Sequence, residues 1–312
     1  MGFLRLEDAR VKWWASNAAN ECQFIPQRVK MFACCVCGSD QFLALYDNTL
    51  RRCWSCGHVT ANMCVNKELL RSVYSEKYFA GEEYVNYLED KWVLQSNFSR
   101  RLQRLSGITR FTPGETVIEI GCAYGFFGEL LLRRYPFVSY VGFEVVPEAC
   151  QYGRQHFSLD IRCGDFLTLP DVPRCSHAFM WDVIEHLNAP QLYIEKISSL
   201  LQNNGKVYIT TGDIDAFLPR WQGKKWRMIH PPSHLQYFSR KTLSLLLERY
   251  GLKTIHVSYP STARSMRQIF FSLFLLKRRR KRWLQQIYRL IPRTAGVSVN
   301  TFDIMLVVAE KA

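Results

Sequence analysis

Two pairs of cysteines carry the plainest chemistry in this chain. Cys34 and Cys37 stand two residues apart, Cys53 and Cys56 repeat the spacing, and fifteen residues separate the pairs. Paired thiolates on turns at that separation close a tetrahedral site, for which Zn²⁺ is the usual occupant. Four thiolates saturate the ion, so it is expected to fold its segment and not to catalyse. Cys35 offers a frame-shifted ligand, but Cys34 keeps the two-residue spacing. A second set mixes acids and imidazoles. Asp182, Glu185 and His186 fall at i, i+3 and i+4, on one face of a helical turn, and His230 and His234 follow in WRMIHPPSHLQYFS. Two carboxylates and two imidazoles make an oxygen and nitrogen set suited to Mg²⁺, Mn²⁺ or Zn²⁺. Three readings stay open for this set: a divalent metal at Asp182, Glu185, His186 and His234; His234 as a metal-free base with His230 beside it; or capping and packing alone.

The surrounding pattern says what must position these groups. GSDQFLALYDNTLRR, between the cysteine pairs, reads as a β-hairpin. From about residue 100 onward, strands and helices alternate: strands at 117–120, 139–145, about 160–165, 177–183, 205–211, 253–260 and 301–310, with helices at 126–135, 147–157, 191–201 and 241–251 between them. Apolar strands alternating with helices mean a parallel sheet covered on both faces, a doubly wound α/β fold. The chain divides into an N-terminal segment 1–30, a cysteine-rich module 31–62, a helical connector 63–105, and a domain 106–312 that carries a basic insert at 264–293.

The stretch VIEIGCAYGFFGELL fixes the cofactor class. A strand breaks at Gly121, crosses a loop to Gly125 and continues as a helix. A dinucleotide fold would want G-x-G-x-x-G. Here the middle position is Ala123, and Phe126 and Phe127 leave little room for phosphates. Glu119 ahead of the loop suits a ligand with a positive end. E-x-G-x-x-x-G after a strand resembles the first motif of class I S-adenosylmethionine-dependent methyltransferases. That resemblance spans about 100–312 and implies a seven-stranded Rossmann-like sheet. It also implies cofactor contacts at Glu119, Gly121, Ala123 and Gly125. By the same resemblance Glu144 accepts the ribose hydroxyls, Asp165 and Phe166 lie by the adenine, and Asp182 lies beside the reacting methyl.

The unit DVIEHL with a later histidine resembles methyltransferases of ubiquinone biosynthesis and of small-RNA 3′ ends. In those families such residues bind a divalent metal that orients an acceptor hydroxyl, which implies catalytic roles for Asp182, Glu185, His186, His230 and His234. Trp221, Lys224, Lys225, Trp226 and Arg227 are aromatic and cationic together, suiting a sugar ring or an anionic acceptor; the alternative is that the tryptophans seal the site. Zinc ribbons precede some ribosomal-RNA methyltransferases and some bacterial methyltransferases acting on sugars in surface-polysaccharide and antibiotic pathways. RMIHPPSHLQYFSRKTLSLLLERYG is similar to the second group.

Composition narrows the partners. The net charge of +14 is concentrated: ten Lys and Arg and no acidic residue lie between Arg264 and Arg293. The apolar run 269–276, the polybasic Lys277–Arg282 and the helically spaced Trp283, Ile287, Tyr288 and Ile291 together suit an anionic membrane surface. They also suit a phosphate backbone, or a cover helix with a solvated end. No run reaches membrane-spanning length, the first residues do not read as a secretory signal, and eleven cysteines, many in apolar stretches, suit a reducing compartment. The expected protein is thus cytoplasmic, with the insert as a peripheral membrane contact. The expected acceptor is a sugar-containing or lipid-linked small molecule. The rivals are an RNA methyltransferase binding through ribbon and insert, and a non-catalytic cofactor-binding partner subunit.

Overall fold

A computed structural model describes residues 33–64, 87–271, 274, 282–292 and 295–312. The N-terminal segment 1–30, most of the expected connector and the polybasic run 277–281 lie outside the described residues. The elements are β1 (Phe42–Leu45), β2 (Leu50–Cys53), β3 (Val59–Ala61), α1 (Lys91–Leu105), β4 (Thr116–Ile120), α2 (Phe126–Arg134), β5 (Ser139–Glu144) and α3 (Pro147–Phe157). Next come β6 (Asp160–Cys163), β7 (Cys175–Trp181), a 3-10 turn (Ile184–His186), α4 (Pro190–Leu200), β8 (Leu201–Gly212), α5 (Phe217–Gln222) and β9 (Gln236–Tyr237). The chain ends with α6 (Arg240–Arg249), β10 (Leu252–Ser258), β11 (Thr262–Ser265), α7 (Met266–Phe270), α8 (Arg282–Leu290), β12 (Gly296–Val299) and β13 (Ile304–Lys311).

Seven strands form one sheet in the order β10-β13-β8-β7-β4-β5-β6. β4 pairs in parallel with β5 and β7, and only β13 runs against its neighbours β8 and β10. The strands are apolar because both faces are covered: Val117, Ile118, Ala178, Phe179, Met180, Val207 and Ile209 are fully buried. The expected doubly wound α/β sheet is therefore present. Chain order reverses at β4, with β5 on one side and β7 on the other, and open sheets of this kind bind ligands beyond the strand ends at such a switch point.

Local chemistry sets the helix limits. α3 opens on Pro147, whose fixed φ suits a first helical position. Ser239 and Thr242 form a reciprocal capping box that starts α6 immediately after β9. On α2, Phe126, Phe127, Leu130 and Leu131 turn inward while Arg133 and Arg134 sit at its negative end. The basic insert leaves and rejoins the domain through the antiparallel pair β11–β12. Its base is tied to α1, where Asn97 donates to the Ala263 carbonyl (3.0 Å) and accepts from its N–H (2.7 Å).

The cysteine-rich module forms a second sheet of order β1-β2-β3-β9, so its last strand comes from the larger domain. The expected hairpin between the cysteine pairs is β1–β2. Leu50, Val59 and Ala61 share one apolar cluster with Ile214, Trp226, Leu235 and Tyr237.

Gly128 of α2 lets the Tyr140 ring pass beneath the helix toward Glu119: a Cβ there would lie 2.5 Å from Tyr140 Cζ and 2.9 Å from its hydroxyl oxygen. Gly128→Ala should therefore cost about 1–3 kcal/mol, as overpacking does. A urea-denaturation midpoint equal to wild type would contradict this contact.

Candidate active site

Four strand ends and two loops meet at the switch point. The loop after β4 carries positive φ at Gly121 (71°), Ala123 (48°) and Gly125 (78°). Ala123 holds a conformation disfavoured for a residue with a Cβ, and so does Asp182 (56°) after β7. Such strain gathers at ligand sites. Ala123 N–H donates to Glu144 Oε2 (2.9 Å), which ties this loop to the end of β5, while Val145 and Val146 donate to Oε1 (2.7 and 2.9 Å). Three donors use three of the roughly four acceptor positions of a carboxylate. These bonds leave one acceptor position of Glu144 open.

Glu119 is buried and accepts a hydrogen bond from the Tyr140 hydroxyl. Burial pushes its carboxyl up to about 8, nearby Glu144 adds to the rise, and Tyr140 opposes it. Asp165, exposed, accepts from Leu167 N–H (3.0 Å) and the Tyr193 hydroxyl (2.8 Å). Phe166 is 2% exposed and packs against Phe143 and Tyr193, with the Lys196 ammonium over its ring. Its ring therefore offers no open face.

Asp182 corrects an expectation. Its carboxylate lies 2.9 Å from Arg101 Nη2 and does not join the metal-type cluster. Arg101 on α1 is 5% exposed and stands over the Trp181 and Phe98 rings. No local signal marks it, because its partner lies 81 residues away.

Among the described residues, two groups place possible metal-ligand atoms within 4.8 Å of one another. One is Glu185, His186 and His234. Glu185 is 2% exposed; its own backbone N–H and the Thr211 hydroxyl lie near the carboxylate, but neither oxygen has a partner of hydrogen-bond geometry. Burial, then the negative Asp182, pushes its carboxyl up to about 8. A carbonyl only accepts, so His186 Nδ1–H donates to Ser233 O (2.8 Å) and His234 Nδ1–H to Met228 O (2.9 Å). Each Nε2 therefore carries a lone pair, the arrangement that orients metal-binding imidazoles. The His230 ring lies against His234 at a tilt of 40° with centroids 3.9 Å apart, and His186 meets it edge-on at 4.6 Å. Burial and these two imidazoles drive the His234 pKa far down.

The other group is Cys34, Cys37, Cys53 and Cys56, with Sγ pairs at 3.6 Å (34–56) and 3.5 Å (37–53). Thiolates at ~2.3 Å from a tetrahedral Zn²⁺ lie roughly 3.8 Å apart, so the donor set fits. Gly38 and Gly57 close the two turns at φ of 80° and 83°. Cys35 points elsewhere, to His58 Nε2 (3.3 Å), and is not a fifth ligand.

The aromatic and cationic loop divides. Trp226 is 2% exposed, and with Arg227 it donates to the buried Asp303, while Lys224 pairs with Asp47. Trp226 thus packs between the cysteine module and the larger domain. Trp221 and Phe217 on α5 are 74% and 81% exposed.

The Glu119 carboxyl holds a proton in the folded chain that the unfolded chain releases. Its contribution to stability is present below the ordinary 4.5 and is lost as pH rises toward about 8. Glu119→Gln should therefore flatten the fall in Tm across that window. Superimposable Tm profiles for variant and wild type would contradict the buried, raised carboxyl.

A family profile described as "Methyltransferase domain" matches residues 92–257. Curated proteins give no match. Among solved structures, the chain is similar to human N-acetylserotonin methyltransferase in complex with S-adenosylmethionine (16% identity, TM-score 0.49, covering 79% of this chain and 59% of that one). It is also similar to an S-adenosylmethionine-dependent methyltransferase from Thermotoga maritima (15%, 0.46, 74% and 97%) and to the YcgJ protein of Bacillus subtilis (12%, 0.48, 69% and 98%). With the profile covering more than half of the chain, and with the seven-stranded sheet and motif order above, the chain belongs to the class I S-adenosylmethionine-dependent methyltransferases.

Proposed function

We propose that this enzyme methylates a hydroxyl on a sugar-containing or lipid-linked acceptor, at a mouth formed by Glu185, His186, His230 and His234. The observation that carries the reading is the buried Glu185 carboxylate, without a hydrogen-bond partner and grouped with two imidazoles of fixed tautomer. A buried unpaired carboxylate is costly unless something completes it. A divalent cation held by Glu185, His186 and His234 does so, with one carboxylate oxygen and two neutral nitrogens. When bound, such an ion supplies Lewis acidity to an acceptor hydroxyl.

The chain's own groups divide the remaining work. S-adenosylmethionine supplies an electrophilic methyl, so the protein mainly has to position the acceptor and ease loss of its proton. Glu144 and the Ala123 amide set the β4 loop against β5, Asp165 stands on the adenine side, and Arg101 holds Asp182 at the mouth. The depressed pKa of His234 disfavours the metal-free base, since an imidazole that keeps no proton near neutrality accepts one poorly. It suits a neutral ligand. The cysteine group is read as a structural zinc site.

For the acceptor, the exposed Trp221 and Phe217 offer stacking faces at the mouth side of β8. On α8, Trp283, Ile287 and Leu290 form an exposed apolar stripe (56%, 40% and 81%) within the basic insert. Such a stripe beside basic residues lies on anionic lipid at ~1 kcal/mol per Lys or Arg. Among the described residues no helix is long and apolar enough to cross a membrane.

Two measurements test this. Methyl-labelled S-adenosylmethionine, incubated with the enzyme and separated RNA, envelope lipid and glycan, and small-molecule fractions, should label lipid or glycan; label in RNA would overturn the acceptor class and recast the insert as a phosphate-binding surface. His234→Ala and Glu185→Gln should each weaken Mn²⁺ binding by about tenfold or more and abolish turnover, with S-adenosylhomocysteine affinity unchanged. Undiminished Mn²⁺ affinity in both variants would sink the metal reading, and turnover by His234→Ala would remove that residue from the mechanism.

A further inference from the structure

The cysteine module is built into the mouth. β3 pairs with β9, matching Val59 to Tyr237 and Thr60 to Gln236. Leu235, between His234 and β9, bridges two parts of the chain through its backbone. Its carbonyl accepts from Ala61 N–H (2.8 Å) and the Thr60 hydroxyl (3.0 Å), while its N–H donates to the Glu185 carbonyl (2.8 Å). The backbone of one residue thus links the module to the turn that carries Glu185 and His186.

A side-chain path runs beside it. His58 lies two residues after Cys56; its backbone N–H points to Cys56 Sγ (3.5 Å), and its carbonyl accepts from Cys53 N–H (2.7 Å). The buried His58 imidazole reaches Gln236 Oε1 from Nε2 (3.0 Å), and Gln236 Nε2 donates to the Leu187 carbonyl directly after the 3-10 turn (3.2 Å). Gln236 is 6% exposed and His58 1%. The Tyr237 hydroxyl donates to the His234 carbonyl (3.0 Å), closing the loop from the other side. Burial makes each bond costly to break, so movement of the cysteine turns is passed to the mouth and not absorbed by solvent.

We propose that the zinc ribbon is a clamp for the catalytic mouth. Gln236 and His58 are positioning residues that carry the geometry of the cysteine turns to Glu185, His186 and His234. The inference rests on the reading that Cys34, Cys37, Cys53 and Cys56 hold zinc. It gives the ribbon a role that needs no acceptor contact.

The test uses the full chain and does not depend on an acceptor. Zinc-loaded and zinc-stripped protein are compared by hydrogen–deuterium exchange, with S-adenosylhomocysteine binding measured in parallel. Stripping should speed exchange by about tenfold or more in 184–187 and 233–238, leaving 117–125, 141–146 and S-adenosylhomocysteine affinity unchanged. Acceleration confined to 34–61 would overturn the clamp. Gln236→Leu provides a second arm: it should keep its zinc and its S-adenosylhomocysteine affinity yet shift the His186 and His234 imidazole NMR resonances and weaken their Nδ1–H signals. Unperturbed imidazole resonances in that variant would also overturn the proposal. Zinc content is read on Cys37→Ser: loss of the ion upholds the four-thiolate site, whereas full retention refutes that site and leaves Gln236→Leu as the arm that decides the coupling.

Discussion

A pairing of only two residues, β9 on β3, is the constraint on which the mouth depends. β9 is too short to hold itself, and its register comes from both flanks: the cysteine module on one side and the Glu185 carbonyl, through Leu235 N–H, on the other. Everything at the mouth hangs from that strand. His234 precedes it, Ser239 caps α6 immediately after it, and Trp226 packs beneath it in the cluster that also holds Leu50 and Val59. The Trp226 and Arg227 bonds to Asp303 anchor the far end of the same loop to the start of β13. A loop of some twenty residues after β8 is thereby fixed at both ends and in the middle.

The cofactor side follows a different logic. There the parallel sheet supplies the rigidity, and the groups proposed to hold the cofactor sit on loops at its switch point. Strain at Ala123 and Asp182 is tolerated because each is held by bonds to neighbouring strands: Ala123 N–H to Glu144, and Asp182 N–H to the Thr210 carbonyl and hydroxyl. Two buried carboxyls, Glu119 and Glu185, flank this region, and burial raises both. Their difference lies in their partners. Glu119 accepts from the Tyr140 hydroxyl, whereas the Glu185 oxygens have no hydrogen-bond partner.

Local sequence signals carried most of the fold. Strand–helix alternation placed the central sheet, and Pro147 and the glycine loop marked helix starts that the structure keeps. The cysteine spacing gave a hairpin with four thiols together. What stayed hidden was non-local. Gln236 and Tyr237 carry no strand signal of their own, because their pairing comes from β3 about 180 residues earlier. Arg101 looked like one of several basic residues on a helix, and only the fold brings it to Asp182. Trp226 and Trp221 were indistinguishable in sequence, yet one is buried and the other faces solvent. Spacing at i, i+3 and i+4 put Asp182 with Glu185 and His186, but the backbone turns at positive φ at Asp182, so the three do not form one ligand set.

The most direct test of the account is a crystal structure with S-adenosylhomocysteine and Mn²⁺, read by anomalous scattering. The nucleoside is expected beyond the ends of β4 and β5, with its sulfur facing the His186 and His234 rings. A manganese peak is expected among Glu185, His186 and His234, and a separate zinc peak among the four cysteines. Nucleoside bound elsewhere, or a mouth with no peak and Glu185 turned to a protein donor, would contradict these expectations.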